Sequence, residues 1–423
     1  MNSLRILLRF LFISMLFHST ADAADPGLAA TATNELGLDL YRKLAAGDNN
    51  LCLSPYSIQA ALAMTFGGAD GATRTEMARV LHFPNGAEPH ASFAALQRAL
   101  EEMAARTAQR VAASKKYGGP SEPITLAIAN RLFPQKGYNL RESFLALVKK
   151  EYGAPLEPLD FKKDAAAATK QINDWVAEQT RKRIRDLIPA GALNATTRLV
   201  LANAVYLKAP WAEEFSESAT KPEPFHVHGG APVDAPTMQR TDHDFGYAKR
   251  DGFTAVSIPY IGGELQFLIL LPDKVNGLAA LESKLTSDTL KECAKLDARF
   301  MHLYLPKFKL EPPTIALASQ LVSLGMRTAF DQPPGSANFD RLAPRRPEDY
   351  LYISQVFHKT FIAVDEKGTE AAAATAVAMM AGAAMNPHPE QPIEVKVDRP
   401  FFYAIQHIPS GACLFAGRVT DPR

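Results

Sequence analysis

Excess charge of one sign is absent from this chain. Its 423 residues carry 46 lysines and arginines against 45 aspartates and glutamates. Such balance gives no reason to expect nucleic acid or an anionic membrane as the main partner. Cysteine is scarce, with three residues, Cys52, Cys293 and Cys413, and no C-x-x-C pair. That spacing excludes a zinc site and a dithiol redox pair. Buried free thiols are expected. A bridge between Cys52 and Cys413, which both lie on apolar strand-like runs, is the alternative. No Pro- or Ser-rich linker divides the chain, and no repeat of solenoid length is present. Enzyme signatures are missing too: there is no G-x-S-x-G, no H-E-x-x-H and no P-loop. The glycines of Gly67-Gly68-Ala69-Asp70-Gly71 are not followed by a lysine in register and read as a turn after a helix.

Long apolar runs are absent except at the start. Arg5 and Arg9 border the apolar residues 6–17, and Ala21-Asp22-Ala23 closes the segment. A basic start, an apolar middle and a small-x-small end describe a secretory signal peptide. Residues 1–23 are therefore expected to be removed, and the protein to be secreted or periplasmic. Residues 24–423 are expected to form one domain.

What remains is ordinary globular composition, 47% hydrophobic, enough for a large core. Helical spacing marks the first half. Leu36, Leu40 and Leu44 repeat every four residues, and Phe93, Leu96, Leu100, Met103, Thr107 and Val111 share one face of a long helix. Its other face carries Arg98, Arg106 and Arg110 among Glu101 and Glu102. A polyanion cofactor could use those arginines, but a solvated face is the simpler reading. Strand patterns mark the second half. Ile124, Leu126 and Ile128 alternate, residues 199–208 are apolar in both phases, and Gly262-Gly263 separates two apolar runs as a hairpin turn does. Further strands are expected at 302–310, 352–365 and 393–397. The mixture predicts a single large α+β domain. His226 and His228 share a strand face but lack an evident third metal ligand. No metal or cofactor is expected, nor an enzyme. Asn194-Ala195-Thr196 is a glycosylation sequon.

The segment 366–390 stands apart. It begins Glu366-Lys367-Gly368-Thr369-Glu370, continues through Ala371, Ala372, Ala373, Ala374 and Thr375, and reaches Met380-Ala381-Gly382-Ala383-Ala384. It lacks the apolar/polar period of a packed helix and is bracketed by strand patterns. A long exposed loop is expected, and loops of this length are usually functional or disordered.

The chain resembles the serpin family over essentially all of residues 24–423. The resemblance rests on Asn50-Leu51-Cys52-Leu53-Ser54-Pro55-Tyr56-Ser57-Ile58, on Ile172-Asn173-Asp174-Trp175-Val176 with Thr180, and on Leu201-Ala202-Asn203-Ala204-Val205-Tyr206-Leu207-Lys208 with Trp211 and Phe215. Leu305-Pro306-Lys307-Phe308, the 366–375 segment, Arg399-Pro400-Phe401 and Phe415-Ala416-Gly417-Arg418-Val419 complete it. It implies a fold with three β-sheets, eight or nine helices and a reactive-centre loop. It also implies suicide inhibition of a serine protease, a monomeric inhibitor held in a covalent acyl complex with its target. The cleaved loop enters the central sheet as a new strand, a form of strand addition. Ser54, Ser57, Asn203 and His358 match the family's shutter positions, Trp211 and Lys307 its breach, and residues 366–375 its hinge. A non-inhibitory carrier or chaperone, or an inhibitor of papain-like cysteine proteases, is the alternative function.

The residue chemistry of the hinge agrees. With Thr369 inward, Ala371, Ala373, Thr375 and Val377 follow, all small or β-branched, and Glu370 points outward. No proline interrupts the stretch until Pro387. The family's usual span places the cleaved bond at Gly382-Ala383, with Met380, Ala381 and Ala384 as neighbours. No Arg or Lys stands at or beside these positions, so elastase-, subtilisin- or chymotrypsin-like targets are expected. Two departures stand out: Ala209-Pro210 follows Lys208 where glycine is usual, and Lys182 stands where the helix motif often has glycine.

Overall fold

The computed structural model describes residues 24–114, 122–153, 156–370 and 391–423. Nine α-helices lie among them: α1 (Gly27–Leu44), α2 (Pro55–Phe66), α3 (Gly71–Val80), α4 (His90–Ser114), α5 (Glu142–Tyr152), α6 (Phe161–Gln179), α7 (Leu278–Lys284), α8 (Ser287–Glu292) and α9 (Ala318–Leu324). None is long and apolar enough to cross a membrane. The proposed signal peptide lies outside the described residues.

The α4 stripe is buried as its spacing predicts: Phe93, Leu96, Leu100, Met103, Thr107 and Val111 all face the core. Its opposite face is tied down by its own molecule. Arg106 donates to both carboxylate oxygens of Glu264, at 2.8 and 3.1 Å, and Arg110 to the Gly262 carbonyl at 3.2 Å. Gly262 and Gly263 both have positive φ, +89° and +74°, and form the hairpin turn the sequence predicts.

Strands form two continuous hydrogen-bonded networks. The first runs β1 (Leu51–Leu53), β16 (Ala412–Val419), β15 (Phe401–His407), β7 (Leu265–Pro272), β6 (Phe253–Pro259), β5 (Val233–Arg250), β8 (Asp297–Pro306) and β14 (Ile393–Lys396), with β4 (Lys221–Phe225) beside β5. The long β5 carries a register break against β8 between Arg240 and His243. There it joins the β4–β8–β14 group to the β6–β7–β15–β16 group, so two of the three sheets implied by the resemblance share one ladder. The second network runs β10 (Ile315–Ala316), β11 (Ile353–Thr360), β3 (Leu199–Pro210), β13 (Gly368–Thr369), β12 (Ile362–Asp365) and β9 (Phe308–Leu310), with β2 (Thr125–Pro134) on β3.

Two apolar layers explain the burial of β3. The main core fills the space between the two networks and around α1, α2 and α4. A smaller one lies under α6, where Ile172, Val176 and Ile184 pack on Phe133, Val200, Ala202, Ala204 and Phe361. A strand covered on both faces must be apolar in both phases, as residues 199–208 are. All three cysteines are buried and free, which settles the thiols against a bridge.

Lys182 takes a glycine's conformation. The α6 helix ends with Arg181 at φ +52° and Lys182 at φ +63°, the left-handed turn that commonly closes helices. The Lys182 N–H returns to the Ala177 carbonyl at 2.6 Å.

Candidate functional site

The site lies in the seven-stranded sheet. Its lower part is a rung of polar side chains. Asn130 on β2 is paired in register with Asn203 on β3, and Asn203 with His358 on β11. Ser54 caps α2: its hydroxyl accepts from the Ser57 N–H at 3.3 Å and donates to the Leu414 carbonyl at 2.7 Å. Pro55 at the next position lacks only a donor the helix start leaves unused. The cap places the Ser57 hydroxyl on the rung, donating to Asn130 Oδ1 at 2.8 Å and accepting from Asn203 Nδ2 at 2.5 Å.

His358 closes the network. The Ser54 backbone N–H donates to Nε2 at 3.1 Å, so Nε2 is the acceptor. Nδ1 therefore holds the proton and donates to Asn203 Oδ1. The imidazole is fully buried, and burial pulls its pKa down to about 3. A neutral ring with both nitrogens committed is no general base, and Ser54 meets it through its backbone, not its hydroxyl. The arrangement is structural. The sequence points to Ser54, Ser57, Asn203 and His358, and the structure brings all four together. Asn130 was missed, although its signal was present: a polar side chain in phase with Leu126 and Ile128 on an alternating strand.

The upper part is the breach and hinge. Trp211 is buried and stacks on Tyr260 with ring centres 4.6 Å apart and planes 8° from parallel. Its indole N–H donates to the Asp365 carbonyl at 2.9 Å and its backbone N–H to the Lys367 carbonyl at 2.9 Å. Lys307 Nζ meets Glu366 at 2.7 Å, and the Thr220 hydroxyl donates to the same carboxylate at 2.7 Å. Burial pushes the Glu366 carboxyl up, but these two partners outweigh it and hold the pKa below its ordinary value. The Asp365 carboxylate accepts from the N–H groups of Lys367 and Gly368, at 2.9 and 3.3 Å, and turns the chain back toward the sheet.

Residues 366–370, expected as the start of an exposed loop, are covered: Glu366, Gly368, Thr369 and Glu370 are buried and Lys367 is half-buried. Gly368 and Thr369 form β13, antiparallel to both β3 and β12: Gly368 faces Pro210 and Asp365, and Thr369 faces Ala209 and Val364. The hinge has thus entered the sheet by two residues. Gly368 sits at φ +151°, and a Cβ there would fall on the Ala209 carbonyl oxygen and 2.7 Å from Pro210 Cα. Only glycine fits. Thr369 points inward as expected, and its hydroxyl lies 2.5 Å from that of Tyr260. Glu370 points to the opposite face, but the expectation that it reaches solvent is corrected. It is 6% exposed, covered by the segment that follows α6, and it forms an ion pair with Arg183.

The remaining hinge positions Ala371, Ala372, Ala373, Ala374 and Thr375 lie outside the described residues. So do the bond candidates Gly382 and Ala383 with Met380, Ala381 and Ala384. His226 and His228 lie away from this site, His228 beside Asp48 at 3.1 Å. Among the described residues no three His, Cys, Asp or Glu side chains are grouped to hold a metal.

Below β13 the sheet is closed. Seven registered pairs join β3 and β11 in parallel, from Val205 with Thr360 down to Leu199 with Ile353. A strand continuing β13 downward would separate β3 from β11 and replace one parallel ladder with two antiparallel ones, the more stable kind per residue. It would also move His358 from about 5 Å to about 10 Å from Asn203, two strand spacings. The polar rung therefore lies where the sheet would part for such a strand.

The model of the family "Serpin (serine protease inhibitor)" matches residues 31–422. A serpin-like protein of Thermococcus kodakarensis is 37% identical over 93% of this chain and 85% of its own length. The leukocyte elastase inhibitor of Equus caballus is 34% identical over 93% of this chain and 99% of its own. The solved structure of human thyroxine-binding globulin superposes with a TM-score of 0.77 at 27% identity, covering 94% of this chain and all of that one. This chain belongs to the serpin family. Its kinship is with protease inhibitors broadly, and its fold is theirs.

Proposed function

We propose that this protein is an exported, monomeric inhibitor that traps serine proteases of elastase-, subtilisin- or chymotrypsin-like specificity as covalent acyl-enzymes. The protease's serine oxygen attacks the carbonyl carbon of a bond near Gly382-Ala383. The amine side leaves, and an ester holds the two proteins together. The freed segment then follows Gly368 and Thr369 into the sheet and carries the protease with it before water hydrolyses the ester.

The observation that carries this reading is the entry of Gly368 and Thr369 between β3 and β12. Insertion has a defined start, a strand direction and a path between β3 and β11 once their seven pairs separate. Energies are of the right size. A dozen new hydrogen bonds at about 0.5–1.5 kcal/mol each come to roughly 10 kcal/mol. A protease domain is stable by about 5–15 kcal/mol, so its distortion is within reach. Small, uncharged residues at Ala371, Ala373 and Thr375 support inhibition over the carrier reading, since the fold alone also serves a protein named for binding thyroxine.

Incubation with pancreatic elastase, subtilisin, chymotrypsin and trypsin tests it. A detergent-stable complex with one of the first three is expected, with the released C-terminal peptide starting within two residues of Ala383 by mass spectrometry. Cleavage there with full residual protease activity would sink the inhibitory reading. Export is checked by the mass of the protein recovered from its native host, which should begin at Ala24.

A further inference from the structure

The chain leaves the sheet at Glu370, and it does so in an unusual way. Thr369 is in the ladder, and the Glu370 N–H still donates to the Ala363 carbonyl at 2.6 Å. Glu370 itself has φ +45°, a left-handed conformation uncommon for any residue but glycine. That turn ends β13. Its side chain is drawn under the segment following α6, where its carboxylate is 7% exposed and neither oxygen receives a well-aligned hydrogen bond. A carboxylate in such a place needs a counter-ion.

Four groups are near enough to matter: Arg183, the Tyr206 hydroxyl, Lys208 and Lys309. Lys208 is paired with Glu122. Lys309 lies 3.6 Å from Glu311 and over the Phe361 ring. Tyr206 is neutral. Arg183 is the cation in direct contact. Its backbone is fixed by the left-handed turn at Arg181 and Lys182, by the burial of Ile184, and by the Thr180 hydroxyl, which accepts from the Ile184 N–H at 3.2 Å. The guanidinium is 48% exposed against 7% for the carboxylate. The pair is therefore asymmetric: Arg183 without Glu370 is hydrated, but Glu370 without Arg183 is a covered charge left with the neutral Tyr206 hydroxyl and no cation in contact.

We propose that Arg183 is a positioning residue for the hinge: it is the counter-ion that seats Glu370 beneath the α6 cover and so holds Gly368 and Thr369 in the sheet. Without it, the cheapest way to hydrate Glu370 is for the hinge to leave the sheet. The consequence for inhibition rests on the function proposed above. An expelled hinge must re-enter before insertion can proceed, so a larger fraction of encounters ends in hydrolysis and cleaved inhibitor. Burial pushes the Glu370 carboxyl up despite Arg183, which agrees with a site that tolerates the charge only because it is paired.

The test is amide hydrogen exchange on the full-length protein, read in peptides covering 363–370, for Arg183→Gln, Arg183→Lys, Glu370→Gln and the double variant Arg183→Gln/Glu370→Gln. Protection at Thr369 and Glu370 should fall on the order of tenfold in Arg183→Gln, the scale expected for unpairing a half-covered charge. It should return in the double variant, where no charge needs a partner, and largely persist in Arg183→Lys. Protection unchanged in Arg183→Gln, or lost there and not restored by Glu370→Gln, overturns the proposal. A fold defect in Arg183→Gln would appear as lost protection in peptides of β3 and α6 as well. In that case Glu370→Gln alone, which must keep protection if the pair only neutralises a charge, decides. The cleaved-to-complexed ratio with elastase, read in parallel, should rise in Arg183→Gln. Absence of any complex even for the parent protein would refute the inhibitor reading while leaving the exchange result to stand on its own.

Discussion

Thr369 shows how much one side chain must satisfy. It is fully covered and meets the Tyr260 hydroxyl, which is itself locked under Trp211. Arginine in its place would need to bury a guanidinium against an aromatic stack, a cost of several kcal/mol without a paired anion. If the protein traps proteases as proposed, Thr369→Arg should slow insertion, and gels with a target protease should show cleaved protein in place of complex. The opposite logic holds at Lys182. Its φ of +63° is open to glycine without penalty, so Lys182→Gly should stabilise the protein by about 0.5–1 kcal/mol. A higher thermal midpoint at a fixed scan rate would check this. Family resemblance marked position 182 as a departure, and only the backbone angle explains why glycine is usual there.

At the scale of elements, three strands and a helix cap meet at the polar rung. Sequence patterning located β2, β3 and β11, because alternation and two-faced burial leave clear traces. It did not show that Asn130, Asn203 and His358 share one rung, since register is set by pairing and not by any local signal. The rung also sets a pH response. His358 has a folded pKa of about 3 against about 6.5 in an unfolded chain. Between these values the unfolded state binds the extra proton, so stability is intact above pH 6.5 and is lost as pH falls toward 3. The limiting slope is about 1.4 kcal/mol per pH unit. His90 and His407, both pulled down to about 4 mainly by burial, add to it. Urea midpoints at pH 7, 6, 5 and 4 should fall, and His358→Gln should lower the slope by about one proton's worth. An unchanged slope would show that His358 does not titrate on unfolding.

For the whole molecule, the seven-stranded sheet is unfinished. Two residues of β13 occupy its top, and seven parallel pairs close the space beneath. Filling that space adds a strand that contacts neighbours on both edges. Limited proteolysis at the candidate bond, by an enzyme that cleaves without being trapped, should therefore raise the unfolding temperature markedly. Scanning calorimetry before and after cleavage measures this, and an unchanged midpoint would mean the cleaved loop stays outside.

The sequence alone determined the α+β class, the core stripe of α4, the doubly buried β3, the hinge of small residues and the family that these features define. Those are consequences of side-chain size, polarity and period, which act locally and leave a printed pattern. Only the tertiary structure decided that Gly368 and Thr369 already lie between β3 and β12, that Glu370 is covered instead of solvated, and that Arg183 is its partner. Each of these depends on contacts between segments more than a hundred residues apart in the chain (Arg183 and Glu370 among them). No local pattern encodes such contacts, because they follow from how completed layers stack.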